Sequence, residues 1–427
     1  MEKYEEEFQP HMAVFTGCIW RMLLEVGPQP KMDALAIQGL RFLTCVAGKK
    51  MHMGLFSDAV LQELVQRIVV KNLTATEADE ELFEDNPPDY IRKDMEGSDM
   101  DTRRRGAVEL VRALLRFFPE QVSALCEGHM ASLLEQYTAS GGSDWRLKDT
   151  ALHLLLASAA LNAGCTELNP RVQMQAIFSS HVLPEVQDAD VNARSLVRAD
   201  ALKLLTLFRT HLPAPFVIGL LPAVISHLKS SHVVVQTYAA ICIERWLSVK
   251  DNGQQRVTQA HLQPHLDSCF TELFAVLENP DLSENDYVMK CIMRLLALVG
   301  GGVAPLVSLL MGKLTGVFAR VAKNPVNPHY NHYLFECYAL LIRACCSPGG
   351  GGVPEAAAAN SACDAFEAAL FPPFQEVRAC VCVCVCVFMY MSCVCICVCF
   401  RVLPTDSPRS HLPPHPTPVP HLPHCRC

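Results

Sequence analysis

His329 and His332 stand three residues apart in PHYNHY, a spacing that can put both imidazoles on one helix face, where such a pair can hold a divalent metal. Without a carboxylate or thiolate beside them they make a poor site, and no metal is expected. The tract from Cys380 to Cys399 alternates C-x-C, unlike the C-x-x-C of zinc knuckles. His411, His415, His421 and His424 lie among prolines and read as compositional bias. A phosphate loop needs a glycine five residues before Gly312-Lys313, and Val307 occupies that place. The runs Gly300 to Gly302 and Gly349 to Gly352 fall between helical stretches and read as joints. No G-x-S-x-G or H-E-x-x-H motif occurs. Carboxylates crowd residues 77–101, but general acid work needs a desolvated carboxyl with a raised pKa, and this stretch reads as polar. No catalytic residue and no cofactor are therefore expected, and the chain reads as a nonenzymatic binding protein.

The elements that position these residues are helices. Apolar residues recur at three- and four-residue spacing, as in RADALKLLTLFRTHL and YVMKCIMRLLALVG, and strand-like alternation is nearly absent. Helices are expected to start near Thr102, Trp145, Ser195, His232, Glu284 and Pro328, spaced about 45 residues apart on average. Each is followed by a second helix, near Glu120, Arg171, Pro215, Leu262, Val303 and Ser361. A helix pair repeating at that interval is the HEAT/armadillo period. One pair cannot bury both of its apolar stripes, so pairs stack into a continuous core. The expected fold is all-α, a HEAT-repeat α-solenoid. Ser283 with Asp286 resembles a capping box, and Gly300 is placed to end the helix before it.

The chain has 427 residues, 50% hydrophobic and 19% charged, which excludes disorder as a global description. Its formal net charge of −8 argues against nucleic acid as a partner. The glutamates of MEKYEEEFQP do not resemble a secretory signal. Twenty-one cysteines include ten between Cys380 and Cys427, and the other eleven are scattered, as reduced buried thiols would be. Residues 77–101 carry eleven acidic and two basic side chains, so the chain's excess negative charge sits in this one stretch. Pro87-Pro88 and Gly97 are expected to prevent a continuous helix, which makes the stretch an acidic insert loop. Arg103, Arg104 and Arg105 follow it and partly neutralise it. Two readings stay open: a solvated loop, or a docking surface for a basic partner. The surface would comprise Asp79, Glu80, Glu81, Glu84, Asp85, Asp89, Asp94, Glu96, Asp99 and Asp101 with the three arginines.

Ala379 to Phe400 runs for 22 residues without a charge, enough by length and composition for a membrane span. Its Cys-Val alternation and its lack of leucine point instead to the translation of a dinucleotide repeat, and no span is expected; a membrane span remains the minority alternative. The layout is then helix pairs over 1–76, the acidic insert over 77–101, helix pairs over 102–377, the low-complexity tract over 378–400 and a disordered Pro/His-rich tail over 401–427.

One run carries a specific resemblance. FEDNPPDYIRKDMEGSDMDTRRR, Phe83 to Arg105, resembles the central segment of the importin-α re-exporters, a family within the importin-β superfamily of HEAT-repeat transport receptors. KYEEEF, VVVQTYAA, SENDYVMKCIMR and KNPVNPHYNHYLFE resemble the same family, in order, over residues 1 to about 346. The likeness fades near Gly350, persists weakly in DAFEAALF, and departs after Val377. The resemblance implies a nonenzymatic receptor, monomeric, that wraps RanGTP and importin-α and shuttles between nucleus and cytoplasm. The family has further repeats on both sides, so a middle slice with a foreign tail is expected. The competing functions are a generic HEAT scaffold and a non-functional truncated product.

Overall fold

A computed structural model describes residues 5–96, 102–279, 284–323 and 326–346. The Cys/Val tract, the Pro/His-rich tail and the helix expected near Ser361 lie outside the described residues. Helix α1 is Met12–Glu25 and α2 is Asp33–Ala47. Helix α3 runs through Asp58–Glu63, a π-turn at Leu64–Val69, and Val70–Leu73. The acidic stretch follows as α4, Glu77–Asp85, and α5, Pro87–Ile91, the latter continued by a π-turn at Arg92–Glu96. Then come α6 at Arg103–Leu115, α7 at Pro119–Ala139 and α8 at Trp145–Ala159. Helix α9 joins Met174–Ile177, Phe178–Val182 and Leu183–Gln187. The last seven are α10 at Ser195–Leu207, α11 at Ala214–Ser226, α12 at Val233–Leu247, α13 at Leu266–Leu277, α14 at Asp286–Val299, α15 at Val307–Val321 and α16 at Pro328–Cys346.

The expected helix starts hold to within two residues: Arg103, Trp145, Ser195, Val233, Asp286 and Pro328. These helices form one row. Helices α2, α6, α8, α10, α12, α14 and α16 each pack on the next, and α7, α9, α11, α13 and α15 cover them as a second row. The repeat is phased one helix later than the sequence spacing suggested. The more extensive packing is between a second-row helix and the first-row helix that follows it, above all α7 on α8. Period alone cannot tell which of two alternating helices opens the repeat. Among the described residues the strands are a single short pair, β1 at Lys250–Asp251 and β2 at Gln254–Gln255. Positive φ at Asn252 (51°) and Gly253 (83°) makes the two-residue turn between them, the geometry that Asn-Gly favours.

Local signals set the ends. Thr102 caps α6, its hydroxyl accepting from the Arg105 N–H at 3.1 Å. Helix α14 is capped by Asn285, whose Oδ1 accepts from Val288 N–H at 3.2 Å. The cap expected at Ser283 gives way to this asparagine two residues later, and Ser283 lies outside the described residues. Gly300 has a φ of 52°, and the α14 helix stops there as expected.

The core runs continuously from Met12 to Ile342. Its densest part is α8, α10 and α12, buried nearly all round. Such helices are usually apolar on every face. These carry Lys148, Asp149, His153, Arg198, Asp200 and Lys203 in the buried set, so each charge needs a partner. Arg198 shows how one is met: its Nη1 donates to the Glu185 carbonyl at 2.7 Å and its Nε to the Ala193 carbonyl at 3.1 Å, tying down the turn before α10. Trp246 of α12 is 1% exposed, and its indole N–H donates to the Leu205 carbonyl of α10 at 3.2 Å.

Because each repeat is held by its neighbours, a cavity at this joint acts on the whole array. Trp246→Ala is expected to lower stability by about 3–5 kcal/mol, read from the denaturant midpoint. Leu309→Ala, at a site 48% exposed, should change it by less than about 0.5 kcal/mol.

Candidate functional site

The acidic stretch is not a loop over its described part, and it is not free in solvent. Thr76 and Asp79 form a capping box: Thr76 Oγ1 accepts from Asp79 N–H at 3.2 Å, and Asp79 Oδ2 accepts from Thr76 N–H at 3.0 Å. Glu77, Asp79 and Glu80 fill the first turn of α4, where the helix dipole favours negative charge. Asn86 ends α4 and caps α5, its Oδ1 accepting from Asp89 N–H at 3.3 Å. Pro87-Pro88 opens α5 instead of breaking a helix, because the first turn has no need of those N–H groups. One side of the pair is apolar: Phe83, Tyr90 and Ile91 are buried, with the Phe83 and Tyr90 rings edge to face at 5.1 Å.

This insert lies across the first row of helices and is held by charge. The Asp94 carboxylate meets Lys203 Nζ of α10 at 2.6 Å and accepts from the Tyr238 hydroxyl of α12 at 2.6 Å. Both partners of the ion pair are largely buried, with side chains 10% (Lys203) and 16% (Asp94) exposed. Burial alone would raise the Asp94 pKa; Lys203 above all, with the hydroxyl of Tyr238, brings it down to about 2. Glu80 pairs with Arg146 of α8, and Glu84 Oε2 lies 3.8 Å from His232 Nδ1. Immediately after the insert, Arg103 Nε pairs with Asp33 at 2.6 Å and Arg104 Nη2 with Asp149 of α8 at 2.6 Å. Insert and helix start are thus tied to α2, α8, α10 and α12.

Beneath Asp94 the polar seam continues. Arg104 Nη1 donates to His153 Nε2 at 3.2 Å, and the His153 Nδ1–H donates to the Asp149 carbonyl at 3.0 Å. Burial, then the positive charge of Arg104, hold His153 down to about 4, so it is neutral at pH 7. Asp149, His153 and Asp200 bring carboxylate and imidazole atoms within 4.8 Å of one another, but the Arg104 guanidinium already contacts two of the three and is the resident cation. No hydroxyl or thiol bonds His153 among the described residues. A cavity of about 140 Å³ adjoins the cluster, lined in part by Asn72, Asp79, Tyr90, Lys93 and Arg104.

The thirteen residues expected at a partner surface do not share one environment. Asp79 (3.5 Å from Lys93), Glu80, Asp94, Arg103 and Arg104 are spent on contacts inside the chain. Arg105 is half-buried and carries interactions of its own. Glu81, Glu84 and Asp85 are exposed on α4, Glu84 beside His232 at 3.8 Å, and Asp89 is half-buried beside Arg92 at 3.0 Å. The side chain of Glu96, and Asp99 and Asp101, lie outside the described residues. His329 and His332 are both exposed on α16. Sequence reasoning missed Asp149, His153, Asp200, Lys203 and Tyr238. The available signal was charge at helical spacing on otherwise apolar faces, Asp149 with His153 and Asp200 with Lys203.

Breaking one side of a buried pair leaves its partner uncompensated. Lys203→Ala is expected to loosen the insert by about 3 kcal/mol, seen as faster hydrogen exchange over Glu77–Ile91 while amides around Trp246 stay protected. His153 binds fewer protons folded than unfolded between pH ~6.5 and ~4, so its contribution is lost as pH falls through that window. Its share of the acid loss, at most about 1.4 kcal/mol per pH unit, should vanish in His153→Gln, measured by urea unfolding at several pH values.

Two family models match the chain: Cse1 over residues 1–243 and CAS/CSE protein, C-terminus, over residues 244–381. Exportin-2 of Oreochromis niloticus is 37% identical over 382 residues, which is 88% of this chain and 38% of that protein. Exportin-2 of Homo sapiens matches to the same extent. The chain thus spans somewhat over a third of the length of the curated relatives it matches. Among solved structures, the exportin Cse1 in its cargo-free, cytoplasmic state aligns with a TM-score of 0.75 at 28% identity, covering 89% of this chain and 39% of that one. A mutant of Kap121p aligns with a TM-score of 0.58 at 17% identity, covering 92% of this chain and 34% of that one, which shows a shared helical-repeat fold. With an α-solenoid over the described residues, two family models end to end and relatives above a third identical, the chain belongs to the Cse1/CAS family of exportins.

Proposed function

We propose that the chain binds importin-α together with RanGTP, as a nonenzymatic nuclear export receptor that shuttles between nucleus and cytoplasm. The observation that carries this reading is the outward acidic side of α4. Glu81, Glu84 and Asp85 stay exposed while the other side of the insert is fastened to α8, α10 and α12. A rigidly mounted row of carboxylates suits a basic partner surface, of the kind Ran and the importin-α arm present in this family. Electrostatic complementarity of this sort speeds association and weakens with salt. The docking surface is therefore narrower than the full acidic stretch, because Asp94 and Glu80 are committed inward.

The test is capture of importin-α by the full chain, with and without Ran locked in its GTP state. Mutual enhancement of the two affinities is expected, since coupling is reciprocal. The triple reversal Glu81→Lys, Glu84→Lys, Asp85→Lys should weaken capture by about tenfold at low salt and flatten its salt dependence. Unchanged affinity and salt slope in that variant would remove α4 from the interface; failure of a well-folded chain to bind either partner would remove the proposal.

A further inference from the structure

At the seam under the insert, three carboxylates meet two cations: Asp94 on Lys203, Asp149 on Arg104, and Asp200, whose carboxyl lies within 4.8 Å of that of Asp149. Asp149 is 0% exposed and Asp200 3%, so solvent does not supply the balance. His153 of α8 does not supply it either. Its Nδ1–H is given to the Asp149 carbonyl, and its Nε2 accepts from Arg104 at 3.2 Å while lying 3.9 Å from Asp200 Oδ1, so a second ring proton would meet the guanidinium before that carboxylate. From the insert and α12 the facing groups are neutral phenols, Tyr90 and Tyr238. Asp79 of α4 is committed to Lys93 and the Thr76 cap. Two buried carboxylate oxygens, Asp149 Oδ1 and Asp200 Oδ2, are left without a hydrogen-bond partner. An ionised carboxylate has no donor to offer another, and two of them side by side do not both stay ionised in a buried site.

We propose that one proton, shared by the Asp149 and Asp200 carboxyls, completes the charge balance of the seam, and that the insert takes this proton up when it docks. The balance closes in both states. Docked, the insert brings in the Asp94 charge, Lys203 is engaged by it, and Asp200 is neutralised by a proton from solvent. Undocked, Lys203 is released; it lies three residues from Asp200 on α10, a spacing that lets it pair with the Asp200 carboxylate, and the proton returns to solvent. Arg104 stays on Asp149 throughout. Consistent with this, burial first and Asp149 second hold the Asp200 carboxyl well above the ordinary carboxylate range, while Arg104 and Lys203 oppose them. The docked state binds one more proton than the undocked state, so docking weakens as pH rises, by up to tenfold per pH unit between the two pKa values of Asp200.

The experiment is hydrogen-exchange protection of the insert amides, Glu77–Ile91, in the full chain from about pH 5.5 to 8.5, corrected for chemical exchange and referred to amides around Trp246. Wild-type protection should fall towards tenfold per unit, and Asp200→Asn, which carries a permanent amide where the proton would sit, should be flat. A flat wild-type profile, or the same slope in Asp200→Asn, overturns the proposal. An independent readout covers a poorly folding Asp200→Asn. Infrared spectra of the wild type at neutral pH should contain the carbonyl stretch of a protonated carboxyl, and Asp94→Asn, which removes the charge that the proton offsets, should lose it. Absence of the band in the wild type, or its persistence in Asp94→Asn, contradicts the proposal.

Discussion

The Asp94–Lys203 ion pair is the constraint on which the rest of the arrangement turns. Lys203 sits on a helix buried nearly all round, a place where an ammonium survives only with a counter-ion. The sequence supplies that counter-ion from more than a hundred residues upstream, on a short helical insert that must fold back to deliver it. Once it does, Tyr238, Arg146 and His232 gain partners too, and the insert becomes part of the packed array instead of an appendage. The first-row helices α8, α10 and α12 are then covered on one side by the second row and on the other by the insert, which explains why their polar residues are as buried as their leucines.

The overall fold was legible because it depends on a repeated, local property. Apolar stripes at helical spacing and a period near 45 residues suffice to place the starts of α6, α8, α10, α12, α14 and α16 within two residues. Which helix opens the repeat was not legible, since alternation has no origin. The insert was the larger failure. Its charge density and its Pro-Pro pair point to a solvated loop, and the five apolar residues that dock it, Leu82, Phe83, Tyr90, Ile91 and Met95, are too few to register as a stripe. A proline pair is also ambiguous in a sequence: it breaks a helix from inside and opens one from the first turn, and Asn86 before it, ready to cap, decides for the second.

The site was half legible for a related reason. Composition finds an acidic surface, but it does not say which acids face inward. That division depends on partners such as Lys203 and Arg146, which lie in other repeats. The result is a division along one short segment, with Glu81, Glu84 and Asp85 exposed and Asp94 and Glu80 holding the segment still. A partner that binds the outer face therefore meets a surface whose position is set by buried charges beneath it.

The central claim is that Asp94 and Lys203 act as a unit across the insert and α10. A double-mutant cycle measures it most directly: Asp94→Asn, Lys203→Met and the pair, each scored by denaturant unfolding at neutral pH. The account gives a coupling energy of about 1–3 kcal/mol, with the double variant less damaged than the sum of the singles. Additivity within about 0.5 kcal/mol would mean that the two side chains do not feel one another, and that something other than this charge holds the insert in place.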